Sequence, residues 1–205
     1  AVGERDLNAV LSSVPERVKD RVVLLQNELL PLDWERHGIA DPTVACVWFE
    51  KKRNQPLHVV LPSPVAGPYA ELVVEAIAAL GLPAEPISSA RLLSELVTKN
   101  LYILTSNIAG LEVGGTVSEL WRAHRELATS VAREVLAIQS WRAGTPLLPD
   151  ELIGKMVHAF EADPGHACTG RSAPARLERA LAHASEAGLT VPPLSSLAER
   201  RQWNA

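Results

Sequence analysis

The chain has 205 residues, 47% hydrophobic and 21% charged, and its 20 basic and 24 acidic residues give a net charge of −4. This is globular composition with enough apolar material to bury a core, which excludes a disordered or collagen-like chain. There is no basic excess or stripe, so nucleic acid is not an expected partner.

In chain order, Asp6 is placed to cap a short helix over Leu7–Leu11, and Pro15 to open another turn. Val22-Val23-Leu24-Leu25-Gln26 is short, branched and apolar, the signature of a buried strand. Pro31 and Gly38 punctuate the loop that follows. Thr43–Phe49 and Leu57–Leu61 read as two strands joined by the charged turn Glu50–Gln55, hence a hairpin. Pro62-Ser63-Pro64 and Gly67-Pro68 read as a break. Tyr69–Leu80 is an apolar helix closed by Gly81, and Pro83–Ile87 a short extended link.

Past Ser88-Ser89, a long helix is predicted to about Ala109, with Gly110, Gly114 and Gly115 breaking it. Thr116, with Glu119 three residues on, forms a capping box for a helix that runs to about Ala143 and stops at Gly144. Asp150–Ala162 is the next helix, ended by Asp163-Pro164-Gly165, and Ala173–Ala187 the last, closed by Gly188. No strand signal occurs after the mixed first part. Two domains are therefore expected: residues 1–86, mixed α/β, and residues 87–205, all helical.

Cys46 and Cys168 are too few for a disulfide framework, so a reducing, cytoplasmic setting is the default. No run reaches the roughly 18 apolar residues of a membrane span, and the opening AVGERD carries no signal-peptide pattern. The chain begins at Ala1 and its only methionine is Met156. This points to a removed initiator or to part of a longer chain.

Neither G-x-G-x-x-G nor G-x-x-x-x-G-K-[ST] occurs, so these residues encode no phosphate-cradling loop. Lys99, Asn100 and Asn107 lie on one mostly apolar helix, with Lys99 and Asn107 spaced to reach the same side. Burying a lone ammonium is expensive, so Lys99 must pair or face a wet cavity. Two readings stay open: a lysine and a carboxamide that hold a substrate oxygen and carboxylate, or a snorkelling lysine and a packing asparagine. His158, His166 and Cys168 fit no standard zinc spacing, and no metal site is expected. His124 and His183 read as solvated, the serine pairs as caps, and Lys51-Lys52-Arg53 as a hairpin tip. Arg122, Arg125, Glu126, Arg133 and Glu134 read as intrahelical pairs, with Trp121 and Trp141 as core or interface anchors.

Four stretches resemble the ketopantoate reductase (2-dehydropantoate 2-reductase) family. Val22–Asn27 is similar to the strand and Gln-Asn that close the family's nucleotide domain, with Glu28 where the family usually has glycine. Glu95–Asn100 leading to Ser106–Leu111 resembles the first helix of its helical domain. Glu134–Ile138, ending at Arg142-Ala143-Gly144, resembles the second, glutamate-bearing helix. Gly170-Arg171-Ser172 and Ala187–Pro192 resemble the terminal Gly-Arg segment and its closing helix.

The resemblance implies an α/β plus all-α fold: a partial Rossmann-like NAD(P)-binding domain, then a helical domain like that of 6-phosphogluconate dehydrogenase. Ala1-Val2-Gly3 would be the stub of a central Rossmann strand, with the Gly-rich half upstream of it absent. Lys99 would give a proton to a ketone oxygen as NADPH delivers hydride. Asn107 would be the later substrate asparagine, and Ile103 stands at the earlier one unless Asn100 serves. Asn27 would lie near nicotinamide and substrate. The family's glutamate after Gly-Arg falls on Pro174, and its upstream serine has no match around His166–Thr169.

The function implied is NADPH-dependent reduction of a 2-oxo acid or similar carbonyl. NADP(H) is expected in a complete parent chain and no cofactor for this chain alone. The expected partners are a small 2-oxo-acid-type substrate and a second copy in a homodimer, with no nucleic acid and no membrane. The other reading is a non-catalytic helical binding or dimerisation module, built around Trp121 and Trp141.

Overall fold

A computed structural model describes residues 4–26, 28–51 and 56–203. The chain divides into two compact units, Ala1–Leu96 and Val97–Ala205. That division falls inside a helix, whereas the composition shift lies at residue 86, where the last strand ends.

The first unit opens with α1 (Glu4–Ser12) and a 3-10 turn over Glu16–Arg21. There follow β1 (Val23–Gln26), α2 (Pro31–Glu35), β2 (Thr43–Cys46), β3 (Phe49–Glu50), β4 (His58–Val59), β5 (Ser63–Ala66), α3 (Ala70–Ala78) and β6 (Ala84–Pro86). The main sheet has the order β1-β2-β5-β6. β1 runs parallel to β2, and β5 parallel to β6, while β2 and β5 are antiparallel. Two β-α-β units, carried by α2 and α3, thus meet along one antiparallel seam. Ala45, Val65, Ile77 and Leu82 form the core under α3. Within the sheet β1 is an edge strand, with Val23 43% and Leu25 59% exposed.

Three sequence expectations for this unit are corrected. The residues after Pro31 form helix α2, not a loop: proline suits the first helical position, and the Asp33 carboxylate accepts from the Leu30 N–H at 2.9 Å. The expected long hairpin is short: only Phe49–Glu50 pairs with His58–Val59, while Thr43–Cys46 belongs to the main sheet. Pro62-Ser63-Pro64 is no break, because Ser63–Ala66 is the interior strand β5. Proline is tolerated at residue 64 because the β2 register ends at Val65, so no ladder bond is lost.

The second unit is built from α4 (Ser89–Val113, whose start lies in the first unit), α5 (Val117–Ala123), α6 (Arg125–Ala143), α7 (Pro149–Ala162), α8 (Ala173–Glu186) and α9 (Pro192–Trp203). α4 continues through Gly110, and Gly114 and Gly115, both at positive φ, end it. Gly110 is an approach point: a Cβ there would lie 2.6 Å from the Cys168 Cβ and 2.7 Å from its carbonyl carbon and oxygen. The capping box forms as expected, with the Glu119 carboxylate accepting from the Thr116 N–H at 2.8 Å. The helix it opens is interrupted at His124, which closes α5 and starts α6.

α9 is a helix that the sequence reading passes over. Pro192 and Pro193 occupy its first positions, where their missing N–H groups cost nothing. The first free N–H, on Leu194, donates to the Glu134 carboxylate of α6 at 3.0 Å. No helix among the described residues is long and apolar enough to cross a membrane.

Candidate functional site

The site grows from one face-spanning anomaly of α4. Thr98, Lys99, Asn100, Thr105, Ser106 and Asn107 are all buried, on a helix otherwise lined by Leu96, Val97, Leu101 and Ile108. Buried polar groups require partners, so each one marks a tertiary commitment or a place for a ligand. At 3.6 residues per turn, Asn100, Ile103 and Asn107 share a face, with Lys99 about 80° around the axis from Asn107.

Asn100 is fully buried, and its Nδ2 donates to the Gln139 Oε1 of α6 at 2.8 Å. This amide pair clips α4 to α6. Ser106 Oγ donates back to the Tyr102 carbonyl at 2.7 Å, a common local bond for a mid-helix serine. Asn107 is 7% exposed. Its Oδ1 accepts from the Arg176 Nη1 of α8 at 2.9 Å, and its Nδ2 reaches Ser106 Oγ at 3.4 Å.

Lys99 is 8% exposed, and its Nζ lies 5.5 Å from the centroid of the Tyr102 ring, a cation–π placement that eases burial of the ammonium. The Tyr102 ring also packs against Phe160 at 5.3 Å and His166 at 5.7 Å. His166 Nδ1 lies 3.1 Å from Asp163 Oδ2, so that turn is braced internally.

The segment from residue 163 to 170 is held against α4 and α5 by backbone bonds. The Val117 N–H donates to the His166 carbonyl and the Cys168 N–H to that of Gly115, each at 2.9 Å. Gly170 then passes Asn107: a Cβ on it would sit 3.5 Å from Asn107 Oδ1. α8 starts there, and its first turn holds no acidic residue, Pro174 included. What these residues can offer chemically is donation: an ammonium, a carboxamide and a guanidinium within one helical unit.

Other sequence-singled residues have structural duties. Arg133 pairs with Asp150 of α7 at 2.9 Å, and Glu134 caps α9, so for these two residues the expected intrahelical pairing is replaced by contacts between helices. Burial pushes the Glu134 carboxyl above the usual range, with the Leu194 N–H pulling the other way. Burial, and then the nearby Glu119 carboxylate, push the Cys168 thiol up to about 11. Trp121 lies under the Arg125 guanidinium at 4.8 Å and beside Phe160, while Trp141 is 43% exposed. No group of three metal-ligating side chains occurs among the described residues. Asn27 lies outside the described residues.

Sequence reasoning missed Arg176 and Gln139. Gln139 carried a signal, a lone amide after Val135-Leu136-Ala137-Ile138 on an apolar helix. Arg176 carried none, since arginines are frequent on the neighbouring turns.

No protein-family model and no curated protein sequence matches the chain. Solved structures do match. A PanE/ApbA family ketopantoate reductase from Ralstonia eutropha JMP134 aligns with a TM-score of 0.65 at 17% identity, over 96% of this chain and 71% of that one. A dimeric ketopantoate reductase from Staphylococcus aureus aligns with a TM-score of 0.63 at 16% identity, over 96% and 73%. A 2-dehydropantoate 2-reductase from Methylococcus capsulatus gives 0.61 at 12%, over 88% and 64%. At these identities the likeness is one of architecture, and the chain has the partial Rossmann-like sheet and helical domain found in ketopantoate reductases.

Proposed function

We propose that the chain is a ketopantoate-reductase-like oxidoreductase component that acts on a 2-oxo acid or similar carbonyl, with NADPH as reductant in a complete parent chain. The observation that carries the reading is the nearly buried Lys99, on the same helix as the nearly buried Asn107, within a fold shared with ketopantoate reductases. An ammonium and a donor amide held on one buried helix are the groups a carbonyl oxygen needs for polarisation and protonation.

The turn between β5 and α3 does not have the form of a nucleotide cradle. The glycine between β5 and α3, Gly67, is packed with its Cβ position 2.5 Å from the Pro42 carbonyl oxygen, which leaves no cradle for a pyrophosphate. This chain's own residues act on the carbonyl. The Lys99 ammonium holds the carbonyl oxygen and gives it a proton as the carbon is reduced. The Asn107 amide orients the substrate. For Asn27 a role near nicotinamide and substrate is proposed on the resemblance alone. Asn100, which faces Gln139, is held back from that role in this conformation. A homodimer is part of the proposal, supported by the dimeric neighbour from Staphylococcus aureus.

Titration with NADPH, followed by nucleotide fluorescence and thermal shift on this chain and on a longer parent, tests the reading. Binding by the parent supports it, and binding by neither refutes it. In a binding-competent protein, Lys99→Ala should cut turnover well over tenfold, and unchanged turnover would remove Lys99 from the chemistry. One observation bears on the second reading, a non-catalytic binding or dimerisation module: Trp141 of α6 is 43% exposed.

A further inference from the structure

The Asn107 amide is held in one orientation. Arginine can only donate hydrogen bonds, so the side-chain atom of Asn107 that faces Arg176 Nη1 at 2.9 Å must be the oxygen. The flip of this amide, normally a matter of inference, is therefore decided by chemistry. Nδ2 is left on the other side with two hydrogens. Ser106 Oγ takes one at the long distance of 3.4 Å, and that hydroxyl spends its own proton on the Tyr102 carbonyl. Among the described residues Nδ2 meets no other acceptor, although Asn107 is 7% exposed. A buried donor left with one weak bond is a place where a ligand acceptor belongs.

We propose that Arg176 is a positioning residue for this site. Its guanidinium locks Asn107 with Nδ2 as a donor, and so restricts the group bound there to a carbonyl or carboxylate oxygen. The inference rests on the carbonyl reading of the site and adds a polarity to it. A freely flipping amide would accept from a hydroxyl as readily as it donates to an oxygen. A locked one donates only. The arginine is carried by α8, two residues past Pro174, and Gly170 brings that helix start beside Asn107. The positive charge behind Oδ1 also polarises the amide, which strengthens the donor on the far side.

The test uses the isotope-labelled chain, with pyruvate as the probe and side-chain amide and lysine Nζ resonances as the readout. In the wild-type chain the two Nδ2 protons of Asn107 should give separate, slowly exchanging signals that move on addition of pyruvate, together with Lys99. Arg176→Leu should speed the solvent exchange of those protons and weaken pyruvate binding at least tenfold, and Arg176→Lys, which restores one donor, should recover most of the loss. A folded Arg176→Leu chain that binds pyruvate as tightly as wild type overturns the inference. Should the leucine variant fail to fold, Asn107→Asp keeps a partner for Arg176 but removes the donor. It should fold and lose pyruvate binding, and retained binding overturns the inference. Pyruvate that moves neither Lys99 nor Asn107 in the wild type refutes the carbonyl reading itself. Movement of both without dependence on Arg176 leaves that reading standing and refutes the lock.

Discussion

Gly110→Ala and Gly154→Ala are the same chemical change in two helices, and the structure assigns them opposite signs. Alanine in place of glycine inside a helix gains about 1 kcal/mol from propensity alone. At Gly154 of α7 nothing lies within 4 Å of the added Cβ, so that gain stands unopposed. At Gly110 the Cβ would meet the Cys168 Cβ at 2.6 Å and its carbonyl carbon and oxygen at 2.7 Å. Carbon atoms settle at about 3.5–4.0 Å, so the contact is short by roughly 1 Å. Overpacking of a well-filled site costs about 1–3 kcal/mol. Residues 167 and 168 cannot retreat easily, because Ala167 bridges Thr116 and the Cys168 N–H is bonded to Gly115. The upper end of that range applies, and the net loss is about 2 kcal/mol after the propensity gain. With about 2–4 °C per kcal/mol for a chain of this size, Gly110→Ala should lower Tm by about 4–8 °C and Gly154→Ala raise it by about 2–4 °C. Calorimetry or a denaturant titration reads both. A Gly110→Ala protein as stable as wild type would refute the claim that this glycine exists for the approach of Cys168.

Glu134 offers a pH test. Its folded carboxyl titrates above the ordinary value of 4.5, so its ionisation disfavours the fold: the contribution is fully present below that value and is lost as pH rises through the folded pKa. Glu134→Gln, which still accepts from Leu194, should therefore abolish this pH dependence without loss of stability at neutral pH. Glu134→Ala should cost about 1 kcal/mol by removing a helix cap, and equal stability of both variants would deny the cap. Cys168 should resist thiol reagents at about pH 8 in the native chain and react once unfolded, because reactivity follows the thiolate; its thiol is pushed up to about 11 and buried. Native-state labelling of Cys168 would contradict that placement.

Where local chemistry decides a feature, the sequence already shows it. The capping box at Thr116 and Glu119 is complete within four residues, and it forms as read. Lys99, Asn100 and Asn107 stand out as polar residues in an apolar run, and all three are buried. Legibility fails where the deciding partner is remote. Pro64 looks like a strand breaker until the β2 register is known to stop at Val65. The helix that Pro192-Pro193 opens goes unread because Glu134, which supplies the acceptor for Leu194, lies on another helix. Gly110 resembles a helix terminator because its reason, the backbone of Cys168, lies far along the chain. Within the candidate site, Asn100 and Asn107 carry the same side chain and differ only in what meets them, Gln139 for one and Arg176 for the other.

The edge strand β1 has a colloidal consequence. Val23 and Leu25 expose apolar surface on one side of a four-residue strand that, among the described residues, pairs only with β2. Neither proline, lysine nor a bulge interrupts Val23–Gln26, and those are the devices by which sheet edges resist extension. Association through such edges is the expected route of aggregation, and its extent rises with protein concentration even for a firmly folded molecule.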